Sequence, residues 1–530
     1  MIHPDAFTLS GTIADVVNNR FFKGTITVAG GKIIAVSETE TAPEQYIIPG
    51  FIDSHVHIES SMLLPSEFAR LASVHGTVAT VSDPHEIANV LGVEGVKFMI
   101  ANGAKVPFRF FFGAPSCVPA TIFETSGASI NSDQVKELLG MDEIYYLSEM
   151  MNFPGVLFGD SEVKAKLEAA YQSGKPVDGH APGLAGEDVI KYATAGITTD
   201  HECFTIEEAI GKIKAGMKVL IREGSAARNF NDLVGLLKDY SDEVMFCSDD
   251  KHPDDLVKGH INLLARRAVA LGYDPMKVLK CCTLNPVRHY GLNVGLLQVG
   301  DPADFAVVKD LKNFDVLQTY IRGINVAING KTLIEQVDET PINIFNAQKI
   351  TANDIVVPAE ENQIKVIRAF DGQLITEAFY IEALIQDGQV ISDPENDILK
   401  IVVLNRYSPS KPAVAFIQGF GLKKGALAST VAHDSHNIIA VGVNDEDIVR
   451  AVNLLIEVKG GISFINGVDN KILPLPVAGL MSNSDGYQVA HMYELINEAA
   501  RGLGTNLITP YMTLSFMALL VIPSLKLSDK

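Results

Sequence analysis

The sequence predicts an α/β protein. Its centre is a (β/α)₈ barrel, flanked by a small β domain built from both sides of the barrel and followed by an α/β domain. Three observations carry this expectation. Apolar runs that end in polar residues recur eight times between residues 46 and 252. Helix-like segments with apolar residues at three-to-four spacing lie between them, as at 161–173 and 256–271. Alternating, β-like texture brackets the whole, before residue 48 and again at 292–335. Eight strand–helix units match a closed barrel. A doubly wound open sheet is the rival, but it has no reason to stop at eight.

Taken in order, residues 1–47 read as short strands: TIADVVNN, GTITVAGGKIIAVSE and YIIPG alternate apolar and polar residues, and Gly30-Gly31 marks a turn. The same texture in VGLLQVGDPADFAVVKD and INVAINGKTLIE predicts that 1–47 and 291–340 pair into one discontinuous β domain. Residues 48–290 form the barrel. Its runs are YIIPGFIDSHVH, GTVATVSDPHE, VPFRFFFGAPS, IYYLSEMMN, PVDGHAPG, ITTDHECF, KVLIREGSA and VMFCSDDKH. Residues 341–362, polar with scattered Pro and Asn, read as a linker. Residues 363–530 read as the α/β domain. Its clearest helix opens at the acidic cap Asn444-Asp445-Glu446-Asp447 and stops at Gly460-Gly461.

Composition narrows the function. With 43 Lys+Arg against 64 Asp+Glu, the net charge of −21 repels phosphate backbones and anionic membranes. Five cysteines, without a CxxC pair, exclude a disulfide framework and a zinc ribbon. The opening MIHPDAFTLS has neither a basic nor an apolar signal region. The apolar stretch 511–522, interrupted by Thr513 and Ser515, is too short to span a bilayer. A soluble cytoplasmic protein is expected.

The chemistry sits where the apolar runs end. His55 and His57 are two apart on one strand and therefore face the same way. Other run ends carry Asp83-Pro84-His85-Glu86, Glu149, His180, Asp200-His201-Glu202 and Ser248-Asp249-Asp250. In a barrel these ends share one mouth. Imidazole with carboxylate is a ligand set for divalent transition metals. Six ligands exceed what one ion needs. His55, His57 and Asp249 are therefore expected on one ion and His180 and His201 on the other, with Glu149 as the bridge. Asp249 is the first choice for proton transfer, although Asp250 competes with it for the ligand role and a helix cap is the plain alternative. His85 and Glu86 are the next acid–base candidates, against a helix-start role for Glu86. Asp83, Arg222, Ser225 and Asn229 are candidate substrate contacts, against a surface-loop reading for the last three.

PGFIDSHVHIE resembles the first-strand signature of the amidohydrolase superfamily. SDPHEIANVLG, SEMMNFPGVLFGD, GHAPGL, TTDHE, REGSAARN, AHDSHNI and the closing MTLSF…VIPSLKL resemble the bacterial adenine deaminase family over nearly the whole chain. The resemblance implies a TIM-type metallo-dependent hydrolase barrel. It also implies hydrolytic deamination of adenine to hypoxanthine and ammonia by a metal-activated hydroxide at C6, with two Mn²⁺ or Fe²⁺ ions, Mn²⁺ first. The barrel motifs alone also allow another cyclic amide or amidine hydrolase. Adenosine-deaminase-type barrels are set apart by a catalytic Glu that follows the fifth-strand His. Here that stretch reads His180-Ala181-Pro182-Gly183. The H-x-E…P-C-x-x-C deaminase motif is missing its second half. A homodimer is expected, since barrels with side domains often assemble symmetrically. The cluster Val431-Ala432-His433-Asp434-Ser435-His436-Asn437 stays open among a turn, a second metal site and a lid over the barrel mouth.

Overall fold

A computed structural model describes residues 6–530. The first five residues, and with them the expectations placed on the start of the chain, lie outside the described residues. One eight-stranded sheet joins Phe7–Asp15, Arg20–Ala29, Lys32–Glu38 and Tyr46–Pro49 to Phe305–Val308, Val316–Ile321, Ile324–Ile328 and Lys331–Thr332. The two chain segments meet where Tyr46–Pro49 runs antiparallel to Phe305–Val308, with Ile47 opposite Val307. Alternation places Ile13, Ile26, Val28, Ile33, Ile47, Phe305 and Val307 in one small core. Gly30 and Gly31 both take positive φ, 56° and 77°, as a tight hairpin turn demands.

The barrel strands are β1 (Phe51–Val56), β2 (Thr77–Ser82), β3 (Arg109–Ala114), β4 (Ile144–Met150), β5 (Val177–Gly179), β6 (Thr199–Asp200), β7 (Lys218–Arg222) and β8 (Val244–Cys247). They are parallel, in two ladders, β1 to β5 and β6 to β8. Isolated bridges join the ladders: Val177 to Ile197 on one side, Val56 to Asp249 on the other. Buried on both faces, β1, β2 and β8 show the near-continuous apolar runs of a parallel sheet. The Val56–Asp249 seam is also functional geometry. Asp249 N–H donates to His55 O at 2.9 Å and His57 N–H to Asp249 O at 3.3 Å, so ring closure itself sets Asp249 beside the first-strand histidines. Asp53 reinforces the seam by accepting from Ser248 N at 2.9 Å and pairing with His260 Nε2 at 2.8 Å.

The last part of the chain holds a second eight-stranded sheet, from Gln363–Arg368 to Asp469–Pro474. The helix Asp445–Val458 is capped by the Asn444 side chain, which accepts from Asp447 N. It packs Ile448, Ala451, Val452 and Leu455 against Val402, Leu404, Ala426 and Ala440. Residues 341–362 contribute Ile350 and Ile355 to this same core, so the stretch expected as a linker is packed down by its own apolar residues. This domain lies on the barrel: Gly486 N donates to Glu67 Oε2 at 2.7 Å and Arg70 Nη1 to Asp485 Oδ2 at 2.8 Å. Loop 430–437 and the helix Pro510–Phe516 reach over the mouth. Among the described residues, no helix is long and apolar enough to cross a membrane.

Candidate active site

The mouth gathers the strand-end residues into one buried cluster. His57 Nδ1 lies 3.2 Å from the Asp83 backbone carbonyl. A carbonyl only accepts, so Nδ1 carries the proton and Nε2 presents a lone pair. That Nε2 faces His55 Nε2 at 3.2 Å. Two carboxylate oxygens close around the pair. Glu149 Oε1 lies 3.9 Å and 3.2 Å from the two nitrogens, and Asp249 Oδ1 3.7 Å and 3.3 Å. The other oxygen of Glu149 faces a second pair, His180 Nδ1 at 2.8 Å and His201 Nε2 at 3.3 Å. Glu149 thus stands between two groups of imidazoles, one oxygen to each.

Imidazole nitrogens and carboxylate oxygens converging on a common centre make a donor set that fits cations. Donor atoms of His55, His57 and Asp249, of His55, Glu149 and His201, and of His180, His201 and Glu202 fall within 4.8 Å of one another. Burial, with His201 and His57 nearby, pushes His55 down to about 3, whereas the carboxylates Asp249 and Glu149 beside His57, and Glu149 and Glu202 beside His201, outweigh burial and hold those two imidazoles well above their ordinary value. Burial would raise Glu149 and Asp249, but His180 beside the first and Arg222 beside the second hold both well below the usual carboxylate range.

Asp249 has φ 54°, a left-handed conformation that Asp tolerates better than most residues, and it turns the chain sharply off β8. Its two oxygens serve different partners: Oδ1 faces the histidines and Oδ2 accepts from Arg222 Nη1 at 2.6 Å. Arg222 also grips Glu202, through Nη1 to Oε1 and through Nη2 to Oε2 at 2.9 Å. Arg222, expected among the substrate contacts, lines the cavity while committed to these two carboxylates. Ser225 does not reach the cavity; its hydroxyl donates to Asp255 Oδ2 at 2.7 Å and accepts from His252 N at 2.9 Å. Asn229 ties strand ends together, accepting from Arg222 N and donating to His201 O and Cys203 O. Asp83 sits behind the lining, its Oδ1 accepting from His85 N at 3.1 Å.

His85 and Glu86 open the helix His85–Leu91 directly after β2 and line the cavity. Glu86 is fully engaged by the last domain: one oxygen meets His433 Nδ1 and the other His436 Nε2. His85 Nε2 lies 3.8 Å from Asp434 Oδ1. Loop 430–437 therefore enters the barrel mouth, and Leu374, Phe516, Leu519 and Val521 complete an apolar wall opposite the ligand cluster. Glu202, read in the sequence at the end of the sixth run without a role, lies past the end of β6 at Asp200 with Oε1 3.4 Å from His201 Nε2. Adjacency to His201 at a run end was the available signal.

Residues 46–333 match the Amidohydrolase family and residues 373–530 the Adenine deaminase C-terminal domain. The chain is 54% identical to the adenine deaminase of Methanosarcina acetivorans, over 98% of this chain and 96% of that one. It is 53% identical to that of Salinibacter ruber, over 99% and 97%. The adenine deaminase of Borreliella burgdorferi is 48% identical, over 99% and 97%.

Proposed function

The chain belongs to the adenine deaminase family and deaminates adenine, and we propose that the histidine–carboxylate cluster at the barrel mouth is where it does so. The observation that carries this assignment is Glu149 standing between two imidazole pairs at the one mouth where the barrel and the last domain meet. The amidohydrolase family implies a divalent metal. We assign two ions: His55, His57 and Asp249 would hold one and His180 and His201 the other, with Glu149 a ligand available to both. Their donors are imidazole and carboxylate, a set that suits Mn²⁺ and Fe²⁺ rather than a thiolate-bound metal, and the family resemblance puts Mn²⁺ first. When bound, such ions polarise the reacting centre and make water a nucleophile near neutral pH.

The protein groups supply the rest. Asp249 takes a proton from the attacking water and delivers it to the departing amino group of C6. Arg222 anchors Asp249 Oδ2, which leaves Oδ1 turned toward the reacting centre. The apolar wall of Leu374, Phe516, Leu519 and Val521 covers the planar base and excludes water. The His85–Glu86 side of the mouth serves the ring nitrogen next to C6, which must gain a proton as that carbon becomes tetrahedral.

The test is ammonia release from adenine by the purified protein, with Mn²⁺ supplied and again after chelation, with adenosine in parallel. Metal-dependent release from adenine alone supports the reading. Undiminished release after both ions have been stripped overturns the metal assignment.

A further inference from the structure

Resting on that reading, we propose that His433, delivered by the C-terminal domain, is a catalytic residue: its Nε2 exchanges a proton with the purine ring nitrogen beside C6, and Glu86 acts through it as a positioning residue.

The geometry runs from the loop to the cavity. His436 Nδ1 accepts from Ala432 N at 3.3 Å, so its Nε2 carries the proton and donates to Glu86 Oε2. That leaves Glu86 Oε1 to accept from His433 Nδ1. With Nδ1 committed, Nε2 is the ring nitrogen His433 can offer to the cavity it lines. The His433 ring is also held against Phe516, with centroids 5.4 Å apart. A carboxylate on one imidazole nitrogen of a residue that lines the cavity is the arrangement of an oriented acid–base histidine. Burial pushes His433 down, but Glu86 and Asp250 outweigh it and hold it up at about 9, so it carries a proton to give at neutral pH.

His57, His180 and His201 face the ligand centre and Arg222 is spent on Glu202 and Asp249; His85, whose Nδ1 makes no hydrogen bond, is the rival donor lining the cavity. The proton count closes. Water oxygen bonds to C6, the C6–N1 π pair moves to N1, and N1 takes the His433 proton. One water proton passes to Asp249 and from there to the amino nitrogen, and the C6–N bond breaks to release ammonia. The remaining hydroxyl proton returns to His433 as the C6 carbonyl forms, which leaves hypoxanthine protonated at N1.

The test compares His433→Phe, which keeps a ring against Phe516, with His433→Gln, which keeps a side-chain N–H, and with His436→Asn. Metal content, thermal melting, kcat and KM for adenine are read on each protein. His433→Phe is expected to lose about 10²-fold or more in kcat, with KM and the metal content of the wild type retained. His433→Gln should recover part of that loss, and His436→Asn should fall between it and wild type. If His433→Phe does not fold, His433→Gln decides alone: kcat within about threefold of wild type overturns the proposal, and a loss of tenfold or more with metals retained supports it. Full kcat in both His433 variants also overturns it. A wild-type protein that releases no ammonia from adenine breaks the functional reading instead, and the parallel wild-type assay separates the two failures.

Discussion

The cavity has two walls made in different ways. One is the barrel wall, where His55, His57, Glu149, His180, His201 and Asp249 arrive from five strand ends and are fixed by the ladder behind them. The other is the C-terminal wall, where His433, His436, Phe516 and Leu519 arrive from a loop and a short helix of a separate sheet domain. The barrel wall is held from behind by backbone pairing, such as Asp249 to His55. The C-terminal wall is held from the front, by Glu86 of the barrel itself. The difference teaches that the histidine–carboxylate cluster is placed by rigid strands, whereas the wall facing it is placed by contact between domains.

That comparison can be broken or sharpened by experiment. The largest effect is expected from the barrel wall. His180→Ala should lower turnover by about 10³-fold or more, with bound metal falling below the wild-type level by elemental analysis. Retained turnover at wild-type metal content would remove His180 from the ligand set. Next comes the bracing behind Asp249. Glu202→Gln frees Arg222 on one side, and a kcat loss of about 10- to 100-fold is expected from steady-state kinetics. An unchanged kcat would make the Glu202–Arg222 pair purely structural.

On the C-terminal wall, Phe516→Leu removes a plate of the cavity without adding a polar atom. The expected signature is a KM for adenine raised several-fold with a smaller change in kcat. A change confined to kcat would place Phe516 outside substrate binding. The smallest effect concerns the seam between the walls. Burial, with Asp434 nearby, pushes Glu124 up to about 8. A raised carboxyl contributes stability that is fully present below its ordinary value of 4.5 and is lost as pH rises to about 8. Glu124→Gln should flatten the fall of the melting temperature between pH 5 and 8. A variant whose melting temperature falls as steeply as wild type would show that Glu124 is not the group responsible.

Much of the barrel wall was legible in the chain. Parallel strands buried on both faces leave apolar runs, and each run stops where the strand meets the mouth, so a His or carboxylate at the stop is a site candidate before any coordinates exist. The pairing of His55 with His57 follows from the two-residue period of a strand alone. The role of Glu202 escaped because its strand is only two residues long, and a period cannot be read from so short an element. Arg222 was legible as a site residue, but its partners Glu202 and Asp249 come from neighbouring strands, and side-chain pairing across a barrel depends on stagger that residue types do not encode. The cluster at 431–437 showed its histidines but not their purpose. Its loop is defined by strands of one domain and its chemistry by a glutamate some 350 positions earlier in another. Local pattern determined the strands, their order and the histidines and carboxylates at their ends, because those depend on burial and periodicity within a few residues. Only the tertiary structure decided which carboxylate each histidine meets and that a second domain closes the site, because those depend on how the barrel ring closes and how two folded surfaces dock.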